Sequence, residues 1–128
     1  MKRATRPWAR MAEDDPGIAQ IAMRNAARCY DGVCFHCQQC VEIYLRALLI
    51  ESGLPVPKTH DLDGLLTLLL PTHKTLRAFR RGLLFLSSFA VEARYPGLNS
   101  SKRQALAAMP WAERVRWECR KVLGIKRP

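Results

Sequence analysis

The chain has 128 residues, 48% apolar and 25% charged, with 21 basic against 11 acidic residues and a formal net charge of +10. This length suits a single domain with its own core, and the composition excludes a disordered or low-complexity chain. The basic excess runs along the whole sequence and points to an acidic partner: nucleic acid, a nucleotide or an acidic protein.

No apolar stretch is long enough to span a bilayer. The opening "MKRATRPWARMAEDD" lacks the apolar run of a secretory segment. Five cysteines, four of them crowded into residues 29–40, do not have the wide, paired spacing of a disulfide framework. The expectation is one cytoplasmic domain over residues 1–128, with a core at about 8–123 and no membrane association.

The pattern is helical nearly throughout. A first segment from Trp8 is interrupted at Asp15-Pro16-Gly17, where Asp15 can cap and Pro16 can take the first helical position. Ile18, Ile21, Ala22 and Ala26 form the expected inward stripe of the helix begun there. A second helix is predicted from Asp31 to Ser52, ended by Gly53 as a left-handed terminator. Its stripe is Val33, Cys37, Cys40, Val41, Tyr44, Leu45, Leu48 and Leu49.

After the loop "GLPVPKTH", Thr59 or Asp61 caps a third helix, "LDGLLTLLL", closed by Pro71. A fourth helix is expected from Lys74 to Ala93, apolar on more than one face, and "RYPGLNS" forms a turn. Ser101 and Gln104 have the spacing of a capping box for a last helical region that reaches Gly124, with Pro110 kinking or restarting it. The fold class is an all-α, up-and-down bundle of four to five helices.

The stretch "CYDGVCFHCQQC" poses a choice. Cys29, Cys34, Cys37 and Cys40 have spacings found in iron–sulfur proteins. On an unbroken helix, however, positions 34, 37 and 40 climb about 9 Å and rotate about 60° per step, so they do not converge on one cluster. Cys37 and Cys40 fall on the apolar stripe, and free cysteine packs as a small hydrophobe. Core packing is the preferred reading, with no metal and no cofactor; a zinc site using His36 or Cys119 is the alternative.

The same helix carries a family resemblance. "YDGVCFHCQQCVEIYLRALLIESG" is similar to the second helix of HEPN domains, through Tyr30, Asp31, Phe35, Gln38, Gln39, Glu42, Leu45, Arg46, Ala47, Leu48 and Leu49. "PKTHDL", residues 57–62, resembles the family's loop into its third helix, and "ARYPG", residues 93–97, its turn after the fourth. "WARMAEDD" resembles the family's opening, with Pro16 where leucine is usual. The resemblance covers about residues 8–123. It implies a HEPN-like helical bundle, usually a homodimer, often paired with a minimal nucleotidyltransferase. Some members are ribonuclease toxins, and others bind nucleotides without cleavage.

The ribonuclease branch uses an arginine followed after four to six residues by a histidine, which can transfer protons and stabilise phosphate charge. Upstream of His36 those positions hold Cys29, Tyr30 and Asp31, with Arg28 one residue too far. Upstream of His60 they hold Gly53, Leu54 and Pro55, and of His73 Leu66, Thr67 and Leu68. The motif is absent, so no catalytic residue is assigned; a diverged Arg28/His36 dyad is the enzymatic alternative.

The expected role is therefore non-catalytic: binding a nucleotide or RNA, or partnering a nucleotidyltransferase in a toxin–antitoxin-like pair. A purely structural dimerisation module is a further alternative. The candidate nucleotide-binding residues are Lys58 and His60 at a helix start, Arg94 with its guanidinium fork and Tyr95 with its stackable ring, and Gln39, Glu42 and Arg46 along one helix. Each also has a structural reading: His60 in a helix cap, Glu42–Arg46 as an i, i+4 ion pair, and Arg94–Tyr95 as a turn lock.

Overall fold

The longest helix organises the molecule. The computed structural model describes residues 1–24, 29–90 and 99–126. Their helices are α1 (Arg6–Ala12), α2 (Asp14–Arg24), α3 (Tyr30–Glu51), α4 (Leu62–Leu69), α5 (Arg80–Ser87) and α6 (Lys102–Val122). Two 3-10 segments, Lys74–Phe79 and Ser88–Ala90, flank α5. The fold is an all-α bundle with α3 at its centre, touching every other helix.

Helix α3 is buried on most of its circumference because apolar residues occupy more than one stripe. Val33, Val41, Tyr44, Leu45, Leu48 and Leu49 are all fully buried. Each such leucine contributes about 2 kcal/mol by leaving water. The helix starts at Tyr30 and runs unbroken through Gly32. It ends in a Schellman motif at Gly53 (φ +70°), where the Leu54 N–H donates to the Leu49 carbonyl at 2.9 Å. Gly124 (φ +73°) closes α6 in the same way.

The cysteines lie on this ridge as packing groups. Cys34, Cys37 and Cys40 are buried on an unbroken helix, Cys119 is buried on α6, and Cys29 is exposed. Burial pushes the Cys34 thiol up to about 11 and that of Cys37 up to about 12, with the neighbouring Asp31 and Cys34 adding to the respective shifts. Thiols held protonated in this way are poor nucleophiles and poor metal ligands.

Helix α2 departs from expectation. Its inward residues are Asp15 and Ala19, whereas Ile18 and Ile21 are 43% and 63% exposed. The helix is turned so that Asp15 reaches His36 on α3 and Ala19 and Ala22 face the core, which leaves the isoleucine side of α2 outward. Ala26 lies outside the described residues. The helix also resumes at Asp14, one residue before the expected cap, and the Asp15 side chain turns inward instead of capping.

The expected fourth helix is divided. It opens as a 3-10 segment and becomes α-helical at Arg80, after Phe79 takes a bridge conformation (φ −98°, ψ 1°). In the 3-10 turn, residues three apart eclipse, which stacks Leu76 and Phe79 on one edge toward the core. Residues 91–93 lie outside the described residues. The predicted capping box of α6 is formed: Ser101 Oγ accepts from Gln104 N–H at 3.0 Å and Gln104 Oε1 from Ser101 N–H at 2.8 Å. Helix α6 passes through Pro110 without restarting. Pro110 and Leu106 sit on the exposed face, so the carbonyl that loses its helical donor is open to water.

Gly82 is where α5 meets α6. A Cβ there would fall 2.2 Å from the Trp111 indole, inside any permitted contact. Gly82→Ala is expected to destabilise the fold by about 1–3 kcal/mol, because the ring must move. Thermal unfolding measures this, and a Gly82→Ala/Trp111→Leu double substitution should cost less than the sum of the two singles.

Candidate functional site

Among the polar constellations that interrupt the core, two are built around a carboxylate and a histidine. The first is Glu42, 5% exposed on α3. Four-residue spacing places Gln38, Glu42 and Arg46 along one helix face. Gln38 Nε2 donates to Glu42 Oε1 at 2.9 Å, and Arg46 Nε approaches Oε2 at 3.3 Å. His60 Nδ1 donates to Oε1 at 2.8 Å from the loop between α3 and α4.

Pro55 and Pro57 stiffen that loop and hold its carbonyls toward α3. Arg46 Nη1 donates to the Pro57 carbonyl at 2.9 Å and Nη2 to that of Thr59. Asp61 then caps α4 by accepting from Asp63 N–H at 3.1 Å, and Thr59 Oγ1 accepts from Asp61 N–H at 3.0 Å. The network locks the loop onto α3 and leaves the His60 imidazole 63% exposed, beside exposed Lys58.

Of the residues singled out in the sequence, Glu42, Arg46 and His60 therefore meet. Gln39 is half-buried and takes no part in this network; its neighbour Gln38 does. The signal for Gln38 was its i, i+4 spacing to Glu42. Arg94 and Tyr95 lie outside the described residues.

The second constellation lies at the other half of α3. His36 Nδ1 donates to Asp15 Oδ1 at 2.8 Å, linking α3 to α2. Burial raises the Asp15 carboxyl above its ordinary value, although the His36 hydrogen bond and charge oppose this. His36 borders a cavity of about 30 Å³ that is also lined by Pro16, Gln20, Cys37, Met109, Glu113 and Arg116. That space holds roughly one or two waters. Arg116 is already engaged, with Nε and Nη2 on Glu13 at 2.8 and 2.6 Å and Nη1 on Glu113 at 3.1 Å. Arg28, the expected partner of His36 in a diverged dyad, lies outside the described residues.

Among the described residues, no group of three or more His, Cys, Asp or Glu side chains is placed to hold a metal, and no helix is long and apolar enough to cross a membrane. Residues 5–122 match the model of the HEPN domain family. The chain belongs to the HEPN domain family. It is also similar in structure to TT1696 from Thermus thermophilus, with a TM-score of 0.81 at 20% sequence identity, covering 94% of this chain and 98% of that one. At that identity the likeness speaks for the fold. No curated protein matches the chain.

Within this HEPN domain the family-like blocks take defined places. Residues 30–53 are α3 and its terminator, and "PKTHDL" is the loop that Arg46 and Glu42 fasten. "WARMAEDD" runs from α1 through Glu13 into α2. "ARYPG" lies outside the described residues.

Proposed function

We propose that this HEPN domain is non-catalytic and binds a nucleotide or RNA, or serves as partner to a minimal nucleotidyltransferase. The observation that carries this reading is a HEPN chain with a net charge of +10 in which no histidine follows an arginine at the ribonuclease spacing. The guanidiniums near His60 and His36 support the same view: Arg46 is committed to loop carbonyls and Arg116 to Glu13 and Glu113. Phosphate contacts are then left to Lys58 and the outward edge of His60, with Arg94 and Tyr95 as the proposed guanidinium and stacking groups. Ile18 and Ile21 on α2 and Leu84 on α5 are exposed apolar groups suited to a homodimer or partner contact.

The test is incubation of the purified protein with RNA in the absence of metal, alongside titration with ATP and GTP. RNA stays intact, and nucleotide binding weakens with salt and with Arg94→Ala. Cleavage abolished by His36→Ala would instead establish the ribonuclease alternative, with Asp15 orienting the imidazole. The absence of both cleavage and binding would leave only an interaction module.

A further inference from the structure

The 3-10 segment Lys74–Phe79 forms the common wall of two open hollows. On its α4 side, Lys74 and Arg77 line a hollow of about 530 Å³ with Thr67, Leu70 and Pro71. On its α6 side, Phe79 faces Arg114, Trp117, Lys121 and Ile125 across about 580 Å³. Thr75 Oγ1 donates to Glu118 Oε1 at 2.8 Å and ties the segment to α6. The 3-10 geometry eclipses Lys74 with Arg77, so both cations stand on one edge. On α6, Arg114 and Lys121 are seven residues apart and return to one face about 10 Å apart.

The charge of this ridge is unbalanced. Lys74 and Arg77 make no ion pair among the described residues, and both are exposed. Arg114 lies over the Trp111 ring at 5.1 Å, which leaves its charge uncancelled. Among the described residues, the one carboxylate lining the α6-side hollow is Glu118, already bonded to Thr75 and 3.8 Å from Lys121. Cations at the rim, with apolar walls and the half-buried Phe79 ring between them, match a strand whose phosphates and unpaired bases are both available, while the Trp117 ring already carries the Arg116 and Arg120 guanidiniums at 4.8 and 5.3 Å. A duplex keeps its bases inside, whereas a single strand presents a flat ring beside every phosphate, a regular pairing that an acidic peptide lacks.

From this geometry we infer that the ridge formed by the 3-10 segment and the second half of α6 is a docking surface for single-stranded nucleic acid. The inference deepens the RNA-binding reading above and rests on it. It places the contact away from the Glu42–His60 loop.

The experiment is fluorescence anisotropy with an end-labelled, adenine-rich single-stranded RNA, its duplex form, and polyglutamate as competitor. The wild-type protein binds the single strand more tightly than the duplex, with an affinity that falls as salt rises. Lys74→Glu/Arg77→Glu/Arg114→Glu lowers that affinity about tenfold or more. A charge-matched control, Arg3→Glu/Arg6→Glu/Arg10→Glu, alters exposed cations on and just before α1, which among the described helices packs on α2 and α3; it should lose much less. Circular dichroism confirms that both variants fold. Equal losses in the two variants, equal binding of duplex, or competition by polyglutamate as effective as by RNA would overturn the ridge assignment alone. No RNA binding by the wild-type protein would overturn the RNA-binding reading with it.

Discussion

Glu13→Ala is expected to lower the unfolding free energy by about 3 kcal/mol, among the largest effects of any single polar substitution in this chain. Glu13 stands at the junction of α1 and α2, yet its carboxylate is the meeting point of three other side chains. Arg116 reaches it through two nitrogens, Arg120 Nη1 approaches Oε1 at 2.9 Å, and the Tyr44 hydroxyl donates to Oε2. The Arg116 and Arg120 side chains are only 15% and 9% exposed, so removing the carboxylate leaves two nearly buried guanidiniums facing each other. Thermal unfolding should show a fall of roughly 10 °C in Tm. A fall of only one or two degrees would mean that water replaces the carboxylate without strain.

The same carboxylate sets a pH dependence. Burial alone would raise the Glu13 pKa, but the hydrogen bonds from Arg116 and Tyr44 and the charges of Arg116 and Arg120 outweigh it and hold it below 4.5. A depressed carboxylate contributes stability that is fully present above its unfolded pKa and is lost as pH falls through the folded value. Asp15 acts oppositely: its raised pKa lets the folded protein take up a proton more readily, offsetting part of the loss. The acid limb of the wild-type stability curve should therefore flatten in Glu13→Gln, and the difference between the two curves isolates Glu13.

Glu42→Ala is expected to cost about 2–4 kcal/mol and to release the loop before α4. Without that carboxylate, Gln38 Nε2 loses its acceptor, the His60 imidazole loses its anchor, and Arg46 retains only the carbonyls of Pro57 and Thr59. Trypsin should then cut after Lys58 markedly faster in the native variant than in the wild type. Lys58 is exposed in both, so access depends on whether its backbone can leave α3. Unchanged cleavage with lowered stability would show that the prolines, and not the carboxylate, hold the loop.

Much of the fold was legible because its signals are local. The α3 ridge, the Gly53 terminator, the Asp61 cap and the Ser101–Gln104 box each depend on residues only a few positions apart, and each is present. The burial of Cys37 and Cys40 followed from the same periodicity, since an unbroken helix that turns those positions inward cannot also wrap a cluster. Division of the fourth helix was not legible, because no breaker residue marks Phe79. The orientation of α2 was not legible either: isoleucines outrank alanines in hydrophobicity, but the Asp15–His36 bond to α3 turns the Asp15, Ala19 and Ala22 side inward.

The candidate site was legible only as a set of residue types. The sequence by itself determined the HEPN family, the helical periodicity, the buried thiols and the basic excess, all of which are written in neighbouring residues or in composition. Only the tertiary structure decided that Glu13 would gather Arg116 from 103 residues away and Tyr44 from 31. It likewise decided that His60 would rest on Glu42, and that the cations of a 3-10 turn and of α6 would border adjoining hollows. The physical reason is reach: a carboxylate bonds within about 3 Å, and whether distant groups come that close depends on how the helices pack.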